Sequence, residues 1–184
     1  MNLTISKDRL PNSINTEPVD ILLHATAGTE LGEVLIARSA RGVCAILIGD
    51  SAEELTADLA DRFPRAALIV SEAAVQEDMA KVRRYIETPA EGLHLTLDMR
   101  GTPLQRRVWE KLKAISIGRT VSYRELSQVI SPNANPRAVA SACAANPIAL
   151  AIPCHRVVRS NGDLAGYRWG IERKRDLITR EASA

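Results

Sequence analysis

The sequence predicts an α+β protein of two subdomains, a small α/β unit followed by a helical unit. Apolar residues alternate along residues 34–47, which is typical of strands, whereas in the second half of the chain they recur at helical spacing. The charge also changes sign near residue 90: the first 90 residues contain 9 Lys and Arg against 14 Asp and Glu, and the rest of the chain contains 15 against 8. We therefore divide the chain into an N-terminal arm at 1–20, an α/β subdomain with an antiparallel sheet at 21–98 and a helical subdomain at 99–184.

The composition is that of an ordinary globular protein, with 46% apolar and 25% charged residues. No apolar run reaches the roughly 18 residues that predict a transmembrane helix, and the N-terminus lacks the apolar segment and cleavage site of a signal peptide. Cys44, Cys143 and Cys154 are widely spaced and odd in number, which predicts neither a disulfide framework nor a zinc site. We expect a cytoplasmic protein with free thiols, no metal or other cofactor and no membrane contact.

Strand and helix signals follow one another in the N-terminal subdomain. A turn at 39–42 separates two alternating apolar segments, which predicts a β-hairpin. The capping-box pattern at 51–54 starts a helix that ends before Pro64. A second amphipathic helix is predicted at 72–86, and the alternating leucines at 93–97 predict another strand. The predicted order is therefore two strands, two helices and a final strand.

Three helices are predicted at the start of the C-terminal subdomain. Thr102 suits the N-cap of the first helix, which runs to about Ile117 with Trp109 as its core anchor. Two shorter helices, at about 122–130 and 137–145, are joined by a loop rich in Pro, Asn and Ser. This order predicts a helix-turn-helix unit, a common DNA-binding element.

The second helix of this unit has small side chains at nearly every position. Arg137 and Ser141, with Ala138 beside them, are almost all that it could offer to a partner. If this helix meets DNA, we expect contact through shape, in the minor groove and with little sequence specificity. The alternative is that its alanines pack against a neighbouring helix.

Cys154 is the strongest candidate for a reactive group. A thiol attacks as a thiolate, which needs a base or a positive field nearby, and His155 and Arg156 follow directly. Pro153 favours a bend there, which would let neighbouring side chains cooperate. The alternative is a buried structural thiol, which is also our interpretation of Cys44 and Cys143.

Five ordered motifs resemble those of the O6-alkylguanine (methylated-DNA–protein-cysteine) DNA methyltransferase family. They are Pro-Cys-His-Arg-Val at 153–157, Ala-Ala-Asn-Pro at 144–147, Val-Ser-Tyr at 121–123, Pro-Arg-Ala-Val at 136–139 and Gly-Tyr-Arg-Trp-Gly at 166–170. The match is strongest with the C-terminal methyltransferase half of bacterial Ada-type proteins. It is firm from Gly101 to Glu181 and weaker from Ile21 to Asp98.

The resemblance implies a fold and an activity. The N-terminal subdomain would be ribonuclease H-like and the C-terminal one winged-helix-like. The activity would be DNA repair by direct reversal, in which the base is flipped out and its alkyl group moves irreversibly to the cysteine, once per molecule. O6-alkylguanine would be the substrate, with O4-alkylthymine as a second candidate. We expect a monomer that binds alkylated DNA.

The resemblance also assigns roles to four residues around the thiol. Cys154 would accept the alkyl group, and His155 would activate it through a water molecule. Glu181 would orient that histidine. Asn146 would brace the link between the helix and the active-site turn.

DNA contact and the substrate pocket are assigned in the same way. Arg137 would fill the gap left by the flipped base, and Tyr123 would help to extrude the nucleotide. Two further residues of the same helix would lie at the DNA surface: Ala138 and Ser141. Four residues would form the pocket: Tyr167, Arg168, Trp169 and Val157.

The chain departs from the Ada pattern in one respect. Ada-type proteins carry an N-terminal zinc domain with four cysteines, and only three cysteines occur here, so we expect no zinc-linked sensing. Two other functions stay open from the residues alone: a DNA-lesion binder without catalysis, and a hydrolase that uses a Cys–His pair.

Overall fold

The computed structural model describes residues 20–164 and 166–184. The predicted arm lies outside the described residues except for Asp20, which begins the first strand. One sheet organises the N-terminal half. Its strands are β1 (Asp20–Thr29), β2 (Gly32–Ser39), β3 (Gly42–Gly49) and β4 (Ala66–Val70), in the order β3-β2-β1-β4.

The first three strands form an antiparallel meander, in which β2 and β3 are the predicted hairpin and β1 is a strand that was not predicted. Gly32 and Gly42 follow the two tight turns with φ of 101° and 140°, conformations that favour glycine. The sheet is not wholly antiparallel, however, because β4 pairs in parallel with β1. The sequence prediction missed β4, a short apolar run without alternation, which is typical of a parallel strand rather than a half-exposed one.

Two helices, α1 (Ala52–Arg62) and α2 (Glu72–Glu87), pack against the sheet. Ser51 and Ser71 cap them, each accepting a backbone N–H of the first turn with its hydroxyl. Both predicted helices are confirmed. Strand β4 lies between the two helices in the chain, and its parallel pairing with β1 needs a long connection between the two strands.

The strand predicted at 93–97 is wrong. A short 3₁₀ turn (Pro89–Glu91) precedes this segment, which then touches the free edge of β3 through a single bridge between Leu97 and Val43. The next position on that edge, Ile46, instead bonds to residues 147–149: its N–H donates to the Pro147 carbonyl at 2.9 Å and its carbonyl accepts from Ala149. Because the edge is shared between two segments, neither extends into a ladder.

The C-terminal half is mainly helical. Its elements are α3 (Pro103–Lys113), α4 (Tyr123–Ile130), α5 (Pro136–Ala144) and α6 (Ile171–Ala182), with two short parallel strands, β5 (Val121–Ser122) and β6 (Val157–Val158). The two helices predicted at about 122–130 and 137–145 are observed as α4 and α5. The predicted end of α3 near Ile117 is wrong, since the helix ends at Lys113.

Capping and one buried indole hold this half together. Thr102 and Ser122 each form a reciprocal capping box, with Gln105 and Glu125. Trp109 is 1% exposed, and its indole N–H donates to the Ala142 carbonyl at 2.8 Å, which ties α3 to α5. Among the described residues, no helix combines the length and apolar character needed to cross a membrane.

Candidate active site

Cys154 begins a single 3₁₀ turn, Cys154–Arg156, that follows Pro153. The segment leading to it is fixed at one end by the edge of β3, as described above. Leu150 within this segment is buried and has a φ of 67°, which is unusual for a residue other than glycine. The thiol is therefore presented by an irregular but tightly packed backbone.

Asn146 links this backbone to the thiol. It is fully buried, and its Oδ1 accepts from the N–H of Ile148 at 2.9 Å. Its Nδ2 donates to the Ile152 carbonyl at 2.8 Å and to Cys154 Sγ at 3.3 Å. One side chain thus closes the loop between α5 and the 3₁₀ turn and supplies a hydrogen bond to the sulfur.

The thiol lines a cavity of about 420 Å³ between α4, α5 and the segment around residue 167. Cys154 is only 7% exposed. Burial raises the pKa of Cys154 to about 11, although the Asn146 hydrogen bond and the Lys174 charge act in the other direction. The resting group at neutral pH is therefore a thiol, and its reaction as a nucleophile needs a base. The cavity-lining residues are Tyr123, Cys143, Ala144, Cys154, Gly166, Tyr167 and Arg168.

His155 is suited to be that base. It is fully buried, and burial lowers its pKa below the ordinary 6.5, so the ring is neutral at pH 7. Its Nε2 lies 2.6 Å from Oε1 of Glu181. Because a carboxylate only accepts, the single ring proton is assigned to Nε2, and Nδ1 keeps its lone pair. Among the described residues Nδ1 is buried and has no hydrogen-bond partner.

Glu181 is an ionised carboxylate at the centre of a buried polar network. Tyr85 Oη donates to Oε1 at 2.5 Å, and Arg156 donates to Oε2 through Nε at 2.7 Å and to Oε1 through its second terminal nitrogen at 3.0 Å. Burial alone would raise the pKa of Glu181, but the hydrogen bonds from His155 and Arg156 outweigh it and lower that pKa to about 2. The carboxylate therefore fixes the tautomer and orientation of the histidine.

The position of Arg156 next to Cys154 had suggested that its charge acts on the thiol, but the side chain is directed elsewhere. Its guanidinium turns to Glu181 and also donates to the carbonyl of Ile115. The positive charge that acts on the thiol comes from Lys174 on α6, which is fully buried and donates from Nζ to the Val157 carbonyl at 2.5 Å. No sequence pattern distinguished Lys174 from the other basic residues of that helix.

The two predicted tyrosines both line the cavity. Tyr123 begins α4 half-buried, and burial raises its pKa to about 12. Tyr167 packs edge-on to the His155 ring, with centroids 6.4 Å apart, and to Trp169 at 5.1 Å. The hydroxyl of Tyr167 is buried without a hydrogen-bond partner in the described part of the chain. Unpaired buried hydroxyls are costly, which makes this one a candidate contact for a substrate.

The other residues predicted for the pocket lie less centrally. Arg168 lines the cavity mouth and is exposed, but it pairs with Asp58 of α1 at 2.5 Å. Trp169 is buried behind Tyr167, and Val157 is buried in β6 beside Val121. Neither of these two is in the cavity wall.

Helix α5 carries its predicted residues towards the cavity. Arg137 and Ser141 are exposed one turn apart, and Ala138 between them is half-buried. Ala144, at the end of the helix, reaches the cavity wall, about 10 Å along the axis from Arg137. The exposed face of α5 therefore leads from a cation to the mouth of the thiol cavity.

Besides Lys174, two residues near the thiol were not predicted as parts of the site. Cys143 lines the cavity as a second thiol, and burial raises its pKa to about 12. Tyr85 reaches Glu181 from α2, 96 residues away in sequence. The only sequence signal for Tyr85 is that it is one of three tyrosines in a chain with 3% aromatic residues, and its place on an amphipathic helix does not distinguish it from a core residue.

Comparison with known proteins agrees with this geometry. Residues 103–183 match the family model described as 6-O-methylguanine DNA methyltransferase, DNA binding domain. The chain is 46% identical over 159 residues to the bifunctional transcriptional activator/DNA repair enzyme Ada of Escherichia coli, covering 86% of this chain and 45% of Ada. It is 33% identical over 170 residues to the methylated-DNA–protein-cysteine methyltransferase of Candida albicans, covering 87% and 96%.

The solved structures give the same result. Mycobacterium tuberculosis OGT in complex with DNA aligns with a TM-score of 0.73 and 30% identity, covering 88% of this chain and 93% of that chain. Fold and site together define a mixed α+β protein that holds a buried cysteine beside a His–Glu pair. The chain belongs to the methylated-DNA–protein-cysteine methyltransferase family. It spans less than half the length of the Ada proteins that it matches, 45% of that from E. coli and 43% of that from Salmonella typhimurium.

Proposed function

We propose that this chain repairs DNA by direct reversal, moving the alkyl group of O6-alkylguanine to Cys154 in a single irreversible turnover. The observation that carries the proposal is the cavity thiol held beside a neutral histidine whose Nε2 is tied to a buried carboxylate. A nucleophile, a base and a group that orients the base are the parts that nucleophilic transfer needs. O4-alkylthymine, with the same kind of O-alkyl bond, is the second candidate substrate.

The transfer is a displacement at the alkyl carbon. His155 Nδ1 takes the thiol proton through a water molecule, and the thiolate of Cys154 forms the S–C bond as the C–O6 bond breaks. The electron pair of that bond stays on the guanine, which takes up a proton and is restored. The imidazolium is stabilised by Glu181 while it lasts. The product is a thioether, from which the thiolate is a poor leaving group at an alkyl carbon, so the acceptor is consumed.

The substrate base has to leave the DNA stack to reach the sulfur. Cys154 is 7% exposed at the base of a cavity, and a base within a duplex cannot enter such a site. Tyr123 and Tyr167 flank the cavity, and the Tyr167 hydroxyl, which has no partner among the described residues, would donate to the flipped base. We propose Arg168 as a contact at the cavity mouth and Trp169 and Val157 as the packing behind the wall.

We propose that α5 meets the minor groove, with little sequence specificity. Its exposed face offers one cation, one hydroxyl and small side chains, which suits close approach to the DNA backbone rather than reading of base edges. Arg137 would enter the stack where the base has left, and Ala138 and Ser141 would lie against the sugar-phosphate backbone. The excess of basic residues in the C-terminal half supports a DNA partner.

Replacing Arg137 with alanine tests this role. Flipping a base out of the duplex costs a few kcal/mol of stacking energy, which the Arg137 guanidinium would partly offset. Without it, transfer from duplex DNA should fall roughly tenfold or more. Transfer from free O6-methylguanine, which needs no extrusion, should be unchanged. Rates of methylation of the protein on both substrates measure the difference.

Arg175→Ala is the matched control, since it removes an exposed arginine of α6 that pairs with Glu172. It should leave both rates within about twofold, apart from weak salt effects. Equal losses on duplex and free base for Arg137→Ala would contradict the intercalating role.

We also propose a fold type for each subdomain, an oligomeric state and a compartment. The antiparallel meander with its added parallel strand supports a ribonuclease H-like subdomain at 21–98, and α4, α5 and the β5–β6 pair support a winged-helix-like subdomain at 99–184. We propose that the protein acts as a monomer, since one chain supplies every residue of the site. A reducing compartment such as the cytoplasm suits an acceptor that must remain a free thiol.

The function is tested by incubation with duplex DNA that carries O6-methylguanine with a radiolabelled methyl group. We expect the label to move to the protein, up to one equivalent. Tight binding with no label on the protein would mean a lesion binder. Release of label to solvent over many turnovers would mean a hydrolase.

A further inference from the structure

Tyr85 joins the site from the N-terminal half of the chain. It lies near the end of α2, is 2% exposed, and donates from Oη to Glu181 Oε1 at 2.5 Å. Its hydroxyl also accepts from Arg156 at 3.2 Å. The matched DNA-binding domain covers residues 103–183, so Tyr85 lies outside it.

The hydroxyl of Tyr85 acts on the same carboxylate oxygen as the histidine. Oε1 accepts from Tyr85 at 2.5 Å, from His155 Nε2 at 2.6 Å and from Arg156 at 3.0 Å. Each donor takes up part of the negative charge on that oxygen, so the phenol weakens Oε1 as a partner for His155. The carboxylate itself is held in place by Arg156, which donates to both of its oxygens.

We propose that Tyr85 is a positioning residue for the alkyl transfer: its hydroxyl shares Glu181 Oε1 with His155 and limits how strongly the carboxylate favours the imidazolium. The N-terminal α/β unit thereby takes part in activating Cys154. This inference rests on the proposed function. It adds a residue from outside the motifs around the cysteine.

The groups that face His155 determine whether its pKa rises or falls when the Tyr85 hydroxyl is removed. Glu181 and Lys174 come from α6, Arg156 is the next residue in the chain, and Tyr167 presents its ring edge. Glu181 favours the charged imidazole, whereas Arg156 and Lys174 oppose it. Removal of the Tyr85 hydroxyl leaves all four in place and returns charge to Oε1, so the pKa of His155 should rise.

The first test is Tyr85→Phe, which removes one oxygen. The pKa of His155, followed by NMR of a ¹⁵N-labelled imidazole, should rise by roughly half a pH unit. The rate of transfer from O6-methylguanine DNA needs neutral His155, so its loss on acidification should begin at correspondingly higher pH. A merely structural tyrosine would change stability and the height of the rate profile, but not its position on the pH axis.

Ser39→Ala is the matched control. Ser39 is also a buried hydroxyl that donates to a buried carboxylate, Asp98 Oδ2, at 2.7 Å, far along the chain from the thiol. Its loss should lower stability by a similar amount and leave the pKa of His155 unmoved. A ring-fluorinated tyrosine at position 85 keeps the hydroxyl but makes it a stronger donor, so it should shift the pKa of His155 downwards. That variant also serves if Tyr85→Phe does not fold.

The outcomes separate the two proposals. An unmoved His155 pKa in Tyr85→Phe, or in the fluorinated protein, overturns the role of Tyr85 while wild-type transfer upholds the proposed function. If the wild-type protein transfers nothing, the proposed function fails and the role of Tyr85 in transfer fails with it. Opposite shifts in the two variants, matched by the rate profile, support the inference.

Discussion

Replacing Cys154 with serine is expected to abolish alkyl transfer and to leave the fold and DNA binding intact. The hydroxyl is far less acidic than the thiol and is a poor nucleophile towards an alkyl carbon, and a neutral histidine cannot ionise it. We expect the rate to fall by at least about a thousandfold. Serine fits the space of cysteine and can accept the Asn146 hydrogen bond that now reaches the sulfur at 3.3 Å, so stability should change by only about 1 kcal/mol.

The control for this variant is Cys143→Ser. Cys143 is the second thiol of the same cavity and the alternative acceptor. The Cys143→Ser variant should retain alkyl transfer. DNA binding by both variants should match that of the wild type in a mobility-shift titration. Transfer by Cys154→Ser together with loss in Cys143→Ser would mean that the wrong thiol has been assigned.

Replacing Glu181 with glutamine should have the second largest effect, on stability as well as rate. It removes the charge that offsets buried Arg156, and breaking such a pair costs about 3–5 kcal/mol. It also frees the choice of tautomer at His155, which in a comparable triad costs a hundredfold or more in rate. Denaturant unfolding and single-turnover transfer measure the two losses.

The stability loss should depend on pH in a defined direction. The pKa of Glu181 is about 2 in the folded protein against an ordinary 4.5. Its ionised form therefore contributes about 3 kcal/mol that is fully present above pH 4.5 and is lost as pH falls towards 2. The pKa of His155 is lowered, so its contribution is likewise lost as pH falls below 6.5. The difference in unfolding free energy between wild type and Glu181→Gln should therefore be larger at pH 7 than at pH 3.

Unfolding free energies measured across this pH range test the assignment. Glu172→Gln, at the exposed start of the same helix, is the control and should show no such gap. A gap of the same size at pH 3 and pH 7 would contradict an ionised, network-bound Glu181.

Local signals predicted much of the fold. The capping residues Ser51, Thr102 and Ser122 each fix a helix start, because their hydroxyls bond to N–H groups that the helix itself leaves free. The errors arose where tertiary pairing decides. The apolar residues 66–70 become a strand because they pair with the free edge of β1. Residues 93–97 do not, because the edge of β3 that they reach is also bonded to residues 147–149.

The residues of the site also fall into those that a local sequence motif indicates and those that only tertiary packing brings together. The motif around Cys154 predicted the nucleophile that we propose, and the family resemblance indicated His155 as its base and Glu181, which the structure places 2.6 Å from His155 Nε2. Arg156 shows the limit of adjacency in sequence, because a 3₁₀ turn sends consecutive side chains in different directions. Tyr85 is held at the site by the packing of α2 on the sheet, which no local pattern records.

Mass spectrometry of the intact protein and its peptides, after incubation with excess O6-methylguanine duplex, tests the central claim most directly. We predict a gain of one methyl group per molecule, located on the peptide that contains Cys154, with one guanine restored in the DNA for each protein consumed. Restored DNA alongside protein of unchanged mass, or a methyl group on another residue, would contradict the assignment of Cys154 as the consumed acceptor.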